Sequence, residues 1–212
     1  MMEPFFAHSR TDTTQGWEPL EEHLETVASR AETFAAAFES CSWGRLAGLW
    51  HDLGKYRADF QRKIRGERLQ ATHAGVGAAL AYPAAPPLAF AIAGHHTGMA
   101  NLTTQADSTQ SPLDSVVREN ATILAAIHDV VPMSILKQSR PLVPSWLKVT
   151  DGDERKLRME MWTRFLFSAL IDADRLATEA FDDALSSMRT EIAETLPIDQ
   201  NGYAVLSAWR GS

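Results

Sequence analysis

The stretch Leu49-Trp50-His51-Asp52-Leu53-Gly54-Lys55 places a histidine, a carboxylate and a lysine at the end of a short apolar segment. The apolar residues before the pair predict a helix over 46–52 that ends near Gly54. Adjacent side chains on a helix diverge by about 100°, yet His51 and Asp52 can both reach an ion that lies over the helix end. The Asp52 carboxylate can bridge two ions with its two oxygens. After the turn, Lys55 points back toward an anion held there.

Histidines are concentrated in the first half of the chain. Six of the seven lie within the first 96 residues, and all of these except His8 fall in or beside an apolar segment. Buried imidazoles are costly without polar partners, and one metal centre can serve five of them. Neutral imidazole and carboxylate suit Mn, Fe, Co, Ni and Zn. The residues concerned are His23, His51, His73, His95 and His96.

A pair of acidic residues, Asp172 and Asp174, interrupts the apolar segment 165–176. A carboxylate in such a segment is expensive unless it is paired or bound to a metal. The two side chains point about 200° apart on a helix, so only one can face a site. The other can orient a ligand histidine or pair with Arg175.

Apolar residues at three- and four-residue intervals predict an all-α fold of six or more helices. Gly44 is expected to separate the first two helices, and no stretch has a convincing strand pattern. We predict a single domain over 1–212, with a helical core over about 18–181, a mobile loop over 101–112, irregular structure over 132–150 and a C-terminal extension over 182–212. The predicted helices span about 18–39, 46–52, 73–82, 88–96, 113–129 and 153–181.

Charge and composition narrow the class of protein. The chain is 45% hydrophobic and 22% charged, which is ordinary for a globular domain. Its net charge of −7 argues against a protein that grips duplex DNA unaided. An enzyme whose bound cations meet phosphates stays open. The single cysteine, Cys41, excludes an intrachain disulfide and a cysteine-rich zinc site.

The sequence also bears on location. Met1–Pro4 shows no basic region ahead of an apolar run, and the most apolar stretch, 74–93, is interrupted by glycine and proline. We therefore expect a cytoplasmic protein with no secretory signal and no membrane span.

Several motifs, taken in order, resemble the HD phosphohydrolase superfamily and, within it, the HD nuclease domain of the CRISPR type I helicase–nuclease. The resemblance covers about residues 5–180. Its motifs are Ala7-His8-Ser9, Trp17-x-x-Leu20-x-x-His23-Leu24, Gly48-Leu49-x-His51-Asp52-Leu53-Gly54-Lys55-Tyr56, Phe60-Gln61, His73-x-x-x-Gly77-Ala78, Gly94-His95-His96 and Asp172-Ala173-Asp174-Arg175-Leu176-x-Thr178-Glu179.

The resemblance implies an HD-domain helical bundle around two divalent transition-metal ions, with Mn, Ni, Co or Fe favoured and Mg allowed. It implies that His23, His51, Asp52 and Asp174 hold the first ion. It implies that His73, His95 and His96 hold the second ion, with Asp52 bridging. Asp174 rather than Asp172 matches the family's pattern. Asp52 and Lys55 are the implied catalytic residues, with Lys55 neutralising charge on the phosphate.

The activity implied is metal-dependent cleavage of single-stranded DNA in CRISPR interference. The implied partners are a helicase, fused or separate, and a guide-RNA surveillance complex. The chain contains no Gly-x-x-x-x-Gly-Lys-Ser/Thr stretch and so no P-loop of its own.

Two other functions stay open. One is an HD phosphohydrolase that acts on nucleotides or cyclic dinucleotides, although mononucleotide enzymes of that kind generally lack the second set of histidines. The other is a metal-dead scaffold that docks on a surveillance complex.

Three further features receive structural interpretations. We interpret His8 as a structural or rim residue and His128, beside Asp129, as an interaction with a helix C-terminus. The basic run from Lys55 to Arg68 is interpreted as a solvated face, with guidance of a phosphate backbone as the alternative.

Overall fold

The protein is predominantly helical, as expected from the sequence. The structure, a computed structural model, describes residues 4–9, 16–102 and 111–195, with side chains through Asp183. Short 3₁₀ helices occupy Ala36–Phe38, Leu53–Tyr56 and Ser145–Leu147. The α-helices of the described residues are α1 (Leu20–Ala35), α2 (Cys41–Trp50), α3 (Ala58–Ile64), α4 (Ala74–Ala81), α5 (Pro86–Gly94), α6 (Leu113–Ile127), α7 (Met133–Leu136) and α8 (Gly152–Thr195).

A small antiparallel ribbon precedes α1, in a segment where the sequence has no convincing strand pattern, and the fold remains mostly helical. Strand β1 (Phe6–His8) pairs with β2 (Glu18–Pro19), and His8 lies opposite Glu18. Strands of three and two residues are too short to show the alternation that marks a strand in sequence. The distant side chain of Gln61 supports the ribbon, because its amide bonds both the N–H and the carbonyl of Phe6.

Helices α1 and α2 pack closely through glycine, and the expectation that Gly44 separates two helices is wrong. Gly44 lies inside α2, where a Cβ would overlap the Ala31 carbonyl of α1. A Cβ at Gly48, one turn later, would overlap the backbone of Ala28. Glycine at these two positions lets the helix axes approach, and that approach outweighs glycine's low helix propensity.

The long helix α8 buries only part of its apolar pattern. Trp162, Leu166 and Leu170 are fully buried. Met161 and Phe165, which recur in the same pattern, are 46% and 44% exposed. These two residues each precede a buried one by a single position, which rotates them by about 100° to the edge of the buried stripe.

Some boundaries also differ from those predicted. The helix predicted over 153–181 extends to Thr195. The stretch 132–150, predicted as irregular, contains α7 and a 3₁₀ turn. Within the predicted loop over 101–112, residues 103–110 lie outside the described residues, as do residues 196–212 of the predicted C-terminal extension.

The chain divides into two compact units. Met1–Ala177 form the first, which contains every predicted site residue, and Thr178–Ser212 form the second. The described part of the second unit is the last part of α8. Among the described residues, no helix combines the length and the apolar character needed to cross a membrane.

Replacing Gly48 with alanine tests the close packing of α1 and α2. We expect Gly48→Ala to lower the free energy of unfolding by about 1–3 kcal/mol, because the added methyl group must push α1 away. Urea denaturation followed by circular dichroism measures the change. Gly152→Ala is the matched control, since no atom lies within 4 Å of a Cβ at that position. Equal unfolding midpoints for the two variants would contradict this account.

Candidate metal centre

The ends of several helices meet at one point and bring together all seven predicted ligands. Five of the seven lie at or just beyond a helix end, and two lie within helices α1 and α8. Their side-chain donor atoms fall into two groups, and within each group the atoms lie within 4.8 Å of one another. One group is His23, His51 and Asp174, here called the inner set. The other is His73, His95 and His96, here called the outer set, together with Asp52.

Three of these histidines are fully buried, and each has its Nδ1 atom anchored. His51 Nδ1 lies 2.7 Å from the Gly48 carbonyl, and His95 Nδ1 lies 2.6 Å from the Ile92 carbonyl. Because a carbonyl oxygen only accepts, both Nδ1 atoms donate. In the neutral ring, Nε2 then keeps its lone pair. Both Nε2 atoms are therefore oriented as metal donors before any ion binds.

The inward-facing atoms of the site have no hydrogen-bond partner. The Nε2 atoms of His23, His51 and His95 and the Oδ1 atom of Asp52 are buried and unsatisfied. Such groups are rare in folded proteins, because each costs free energy. Cations held within the two sets would satisfy these atoms, so the donor groups fit metal ions.

Distances between the donor atoms also fit shared ions. His51 Nε2 lies 3.3 Å from Asp52 Oδ2, and His23 Nε2 lies 3.4 Å from Asp174 Oδ1. On the outer side, His73 Nε2 lies 3.2 Å from Asp52 Oδ1. Two nitrogen or oxygen donors bound about 2.1 Å from one ion lie about 3.0–3.4 Å apart. These three distances lie in or close to that range, and the Nε2 atoms of His73 and His96 lie closer together, at 2.6 Å.

Asp52 connects the two sets through its two oxygens. Its Oδ1 atom faces His73 at 3.2 Å and His95 at 3.5 Å. Its Oδ2 atom faces His51 at 3.3 Å and His23 at 3.7 Å. One carboxylate therefore offers an oxygen to each set, which is the arrangement of a bridging ligand.

The two sets differ in exposure. His23 and His51 are completely buried, whereas His96 is exposed and His73 is partly exposed. The Nε2 atoms of His73 and His96 are 2.6 Å apart at this open side. Solvent and any bound molecule therefore reach the outer set first.

The sets also differ in protonation. Burial lowers the pKa of His73 to about 3, so its ring is neutral at pH 7. Burial also lowers the pKa of His51, but the charges of Asp52 and Asp174 outweigh burial and raise it to about 10. Of these two rings, only His51 must give up a proton before it binds a metal.

Lys55 lies inside the site, so its interpretation as part of a solvated face is wrong. The side chain is 5% exposed, its Nζ atom lies 2.6 Å from Asp52 Oδ2, and it donates to the Ala7 carbonyl at 3.1 Å. Burial raises the pKa of Asp52, but the charges of Lys55 and His51 outweigh burial and hold it well below its usual value. Lys55 therefore keeps the central carboxylate ionised.

Two supporting residues escape sequence reasoning. Glu18 is buried, and its oxygens lie 3.2 Å from His23 Nδ1 and 2.7 Å from His8 Nδ1. Burial raises the pKa of Glu18, but the hydrogen bonds with His23 and His8 outweigh it and lower the pKa to about 2. Gln61 stood in a motif with no assigned role, and it donates to the Lys55 carbonyl at 2.7 Å. In the sequence, Glu18 stands at an unspecified position of the Trp17-x-x-Leu20 motif, and Gln61 stands in the Phe60-Gln61 motif. Neither position indicates a role at the site.

The other sequence candidates lie elsewhere. Asp172 is exposed and belongs to neither set. His128 is exposed and contacts Asp129 at 3.1 Å, also outside both sets. His8 reaches the site through Glu18. In the basic run, Arg62 pairs with Glu67.

Comparison of the sequence with protein-family models and with curated proteins gave no match. The assignment of a function therefore depends on the geometry of the site and on the motifs.

We expect metal binding to release protons. Against the effect of burial, the charges of Asp52 and Asp174 raise the pKa of His51 to about 10, so its ring is protonated at neutral pH before an ion binds. A metal ion must displace that proton, so we expect the affinity for Mn²⁺ to rise by at least about tenfold per pH unit between pH 6 and 8. Isothermal titration calorimetry in buffers of different ionisation enthalpy counts the protons. His128→Ala, a control outside the site, should release the same number. An affinity independent of pH would contradict this assignment.

Proposed function

We propose that this chain is a two-metal phosphodiesterase that cleaves single-stranded DNA. The observation that carries the proposal is the Asp52 carboxylate, which directs one oxygen to each of two histidine sets whose buried Nε2 atoms lack partners. In this proposal His23, His51, Asp52 and Asp174 hold the first ion, and Asp52, His73, His95 and His96 hold the second.

Two such ions, when bound, supply a water nucleophile at neutral pH and stabilise both oxygens of an in-line displacement at phosphorus. The chain's own residues prepare that chemistry. Asp52 sets the spacing of the two sets, and Lys55 holds Asp52 in place by an ion pair at 2.6 Å. The hydrogen bonds from His51 Nδ1 and His95 Nδ1 to backbone carbonyls prevent the rings from rotating, so their Nε2 atoms stay directed into the site. Lys55 also adds positive charge beside the phosphate.

Charge explains how an acidic chain attracts a phosphodiester. The site contributes the two carboxylates of Asp52 and Asp174 against the ammonium of Lys55. Two divalent cations exceed that negative charge, so the loaded site is positive although the whole chain carries −7. Delivery of the strand is then the task of partners.

The substrate and the partners come from the motif resemblance. It supports single-stranded DNA as substrate, a helicase and a guide-RNA surveillance complex as partners, and the cytoplasm as location. The outer set of three histidines favours this function over hydrolysis of mononucleotides. The unsatisfied buried donors favour it over a metal-dead scaffold, because a scaffold gains nothing from them.

Cleavage of circular single-stranded DNA tests the function. The purified chain, stripped with a chelator, is incubated with the circle after addition of Mn²⁺, Ni²⁺, Co²⁺, Fe²⁺, Mg²⁺ or no metal. We expect metal-dependent linearisation, and we expect Asp52→Ala to abolish it because both ions lose a ligand. Hydrolysis of nucleotides or cyclic dinucleotides with intact circles would replace this function by the phosphohydrolase alternative. Full activity in Asp52→Ala would sink the two-metal model.

Asp174 and Asp172 provide a matched pair on one helix. Asp174 faces His23 and His51, whereas Asp172 is exposed and belongs to neither set. We expect Asp174→Asn to reduce the cleavage rate by at least about 100-fold and Asp172→Asn to change it by less than about twofold. Initial rates at saturating Mn²⁺ measure both. The reverse ranking would show that the site is centred elsewhere on α8.

A further inference from the structure

The three buried histidines of the site differ in what holds their Nδ1 atoms. His51 and His95 donate to backbone carbonyls one helical turn earlier, at Gly48 and Ile92. His23 instead faces a carboxylate, with Nδ1 3.2 Å from Glu18 Oε1. A carboxylate anchor raises the basicity of the ring more than a neutral carbonyl does, because it bears a full negative charge.

Glu18 is itself held from its other side. The residue is 6% exposed, and its second oxygen lies 2.7 Å from His8 Nδ1. His8 and Glu18 are opposite each other in the β1–β2 ribbon. Gln61 ties that ribbon to the turn that carries Lys55. The carboxylate therefore has a defined position before any ion binds.

We propose that Glu18 is a positioning residue for the inner ion. It holds the His23 ring with Nδ1 protonated and directs a strengthened Nε2 donor toward Asp52 and Asp174. His8 keeps Glu18 in place from the solvent side. The inference depends on the proposed metal centre, and it extends the site to the ribbon, to which the motif resemblance assigns no role.

A different reading of the same atoms is a third ion held by His8, Glu18 and His23, whose donors also lie within 4.8 Å of one another. The geometry favours hydrogen bonds. The 2.7 Å between His8 Nδ1 and Glu18 Oε2 is an ordinary length for a charge-assisted hydrogen bond. The number of ions bound per chain separates the two readings.

The test measures binding of Zn²⁺ to the full chain. Because His73→Ala together with His96→Ala leaves only Asp52 and His95 of the outer set, this background isolates the inner ion. In it we expect Glu18→Ala to weaken Zn²⁺ binding by about 10- to 100-fold, as loss of such an outer partner typically does. We expect Glu18→Gln to weaken it less, since its amide oxygen still accepts from Nδ1. Glu22→Ala, an exposed position at the start of α1, is the control and should bind like its parent.

A second readout reports the ring directly. Nitrogen-15 NMR of the Zn²⁺-loaded chain distinguishes a hydrogen-bonded Nδ1–H of His23 from a solvent-exchanging one. We expect a slowly exchanging Nδ1–H in the original chain and in Glu18→Gln, and its loss in Glu18→Ala. A purely structural role for Glu18 would leave this signal in place wherever the variant folds.

Each outcome decides the proposal. Unchanged Zn²⁺ affinity in both Glu18 variants overturns it, and so does binding of three ions per chain. If Glu18→Ala fails to fold by circular dichroism, Glu18→Gln decides alone, and affinity equal to that of the parent overturns the proposal. DNA cleavage is assayed in parallel. Zn²⁺ binding that depends on Glu18 without cleavage of any DNA refutes the nuclease function and leaves the role of Glu18 intact.

Discussion

A buried carboxylate with a histidine set on each side is the constraint on which the rest of the structure depends. Asp52 is almost completely buried, and its oxygens lie 3.2–3.7 Å from the Nε2 atoms of four histidines. A charge in such a place is stable only if it is paired. Lys55 supplies one pair, and cations held between the carboxylate and the imidazoles would supply the rest. Much of the surrounding architecture serves to keep these groups aligned.

Close backbone contact between helices makes the alignment possible. Glycines at 44 and 48 bring α1 against α2, which places His23 beside His51. Gly54 lets the turn after Asp52 touch the backbone of His73, where a Cβ would overlap the His73 carbonyl. Gly77 of α4 meets the Trp50 carbonyl in the same way. The small residues of these segments therefore shape the candidate metal centre, although none of them belongs to the inner or the outer set.

The candidate site is asymmetric, because its two sets differ in exposure and in protonation. The two histidines of the inner set are buried, and the His51 ring would have to give up a proton to bind a metal ion. The outer set has an exposed side chain at His96 and a neutral ring at His73. Solvent therefore reaches the outer set more readily than the two inner histidines. The β1–β2 ribbon supports the site through two hydrogen bonds. Glu18 bonds His23, and the Ala7 carbonyl accepts from Lys55.

The sequence alone was sufficient to predict a helical fold and to select the seven residues that the structure brings together. Local signals predicted the helices and singled out five histidines, because helical periodicity and the cost of burying imidazole are readable one segment at a time. The choice of Asp174 over Asp172 and the division of the ligands between two ions came from the motif resemblance. Tertiary structure decided the features that depend on contacts between residues far apart in the sequence. It placed Gly44 within a helix, rotated Met161 and Phe165 out of the core, and buried Lys55. It also placed Glu18 against His23, because the two-residue strand β2, which carries Glu18, pairs with β1. No spacing in the sequence encodes that contact.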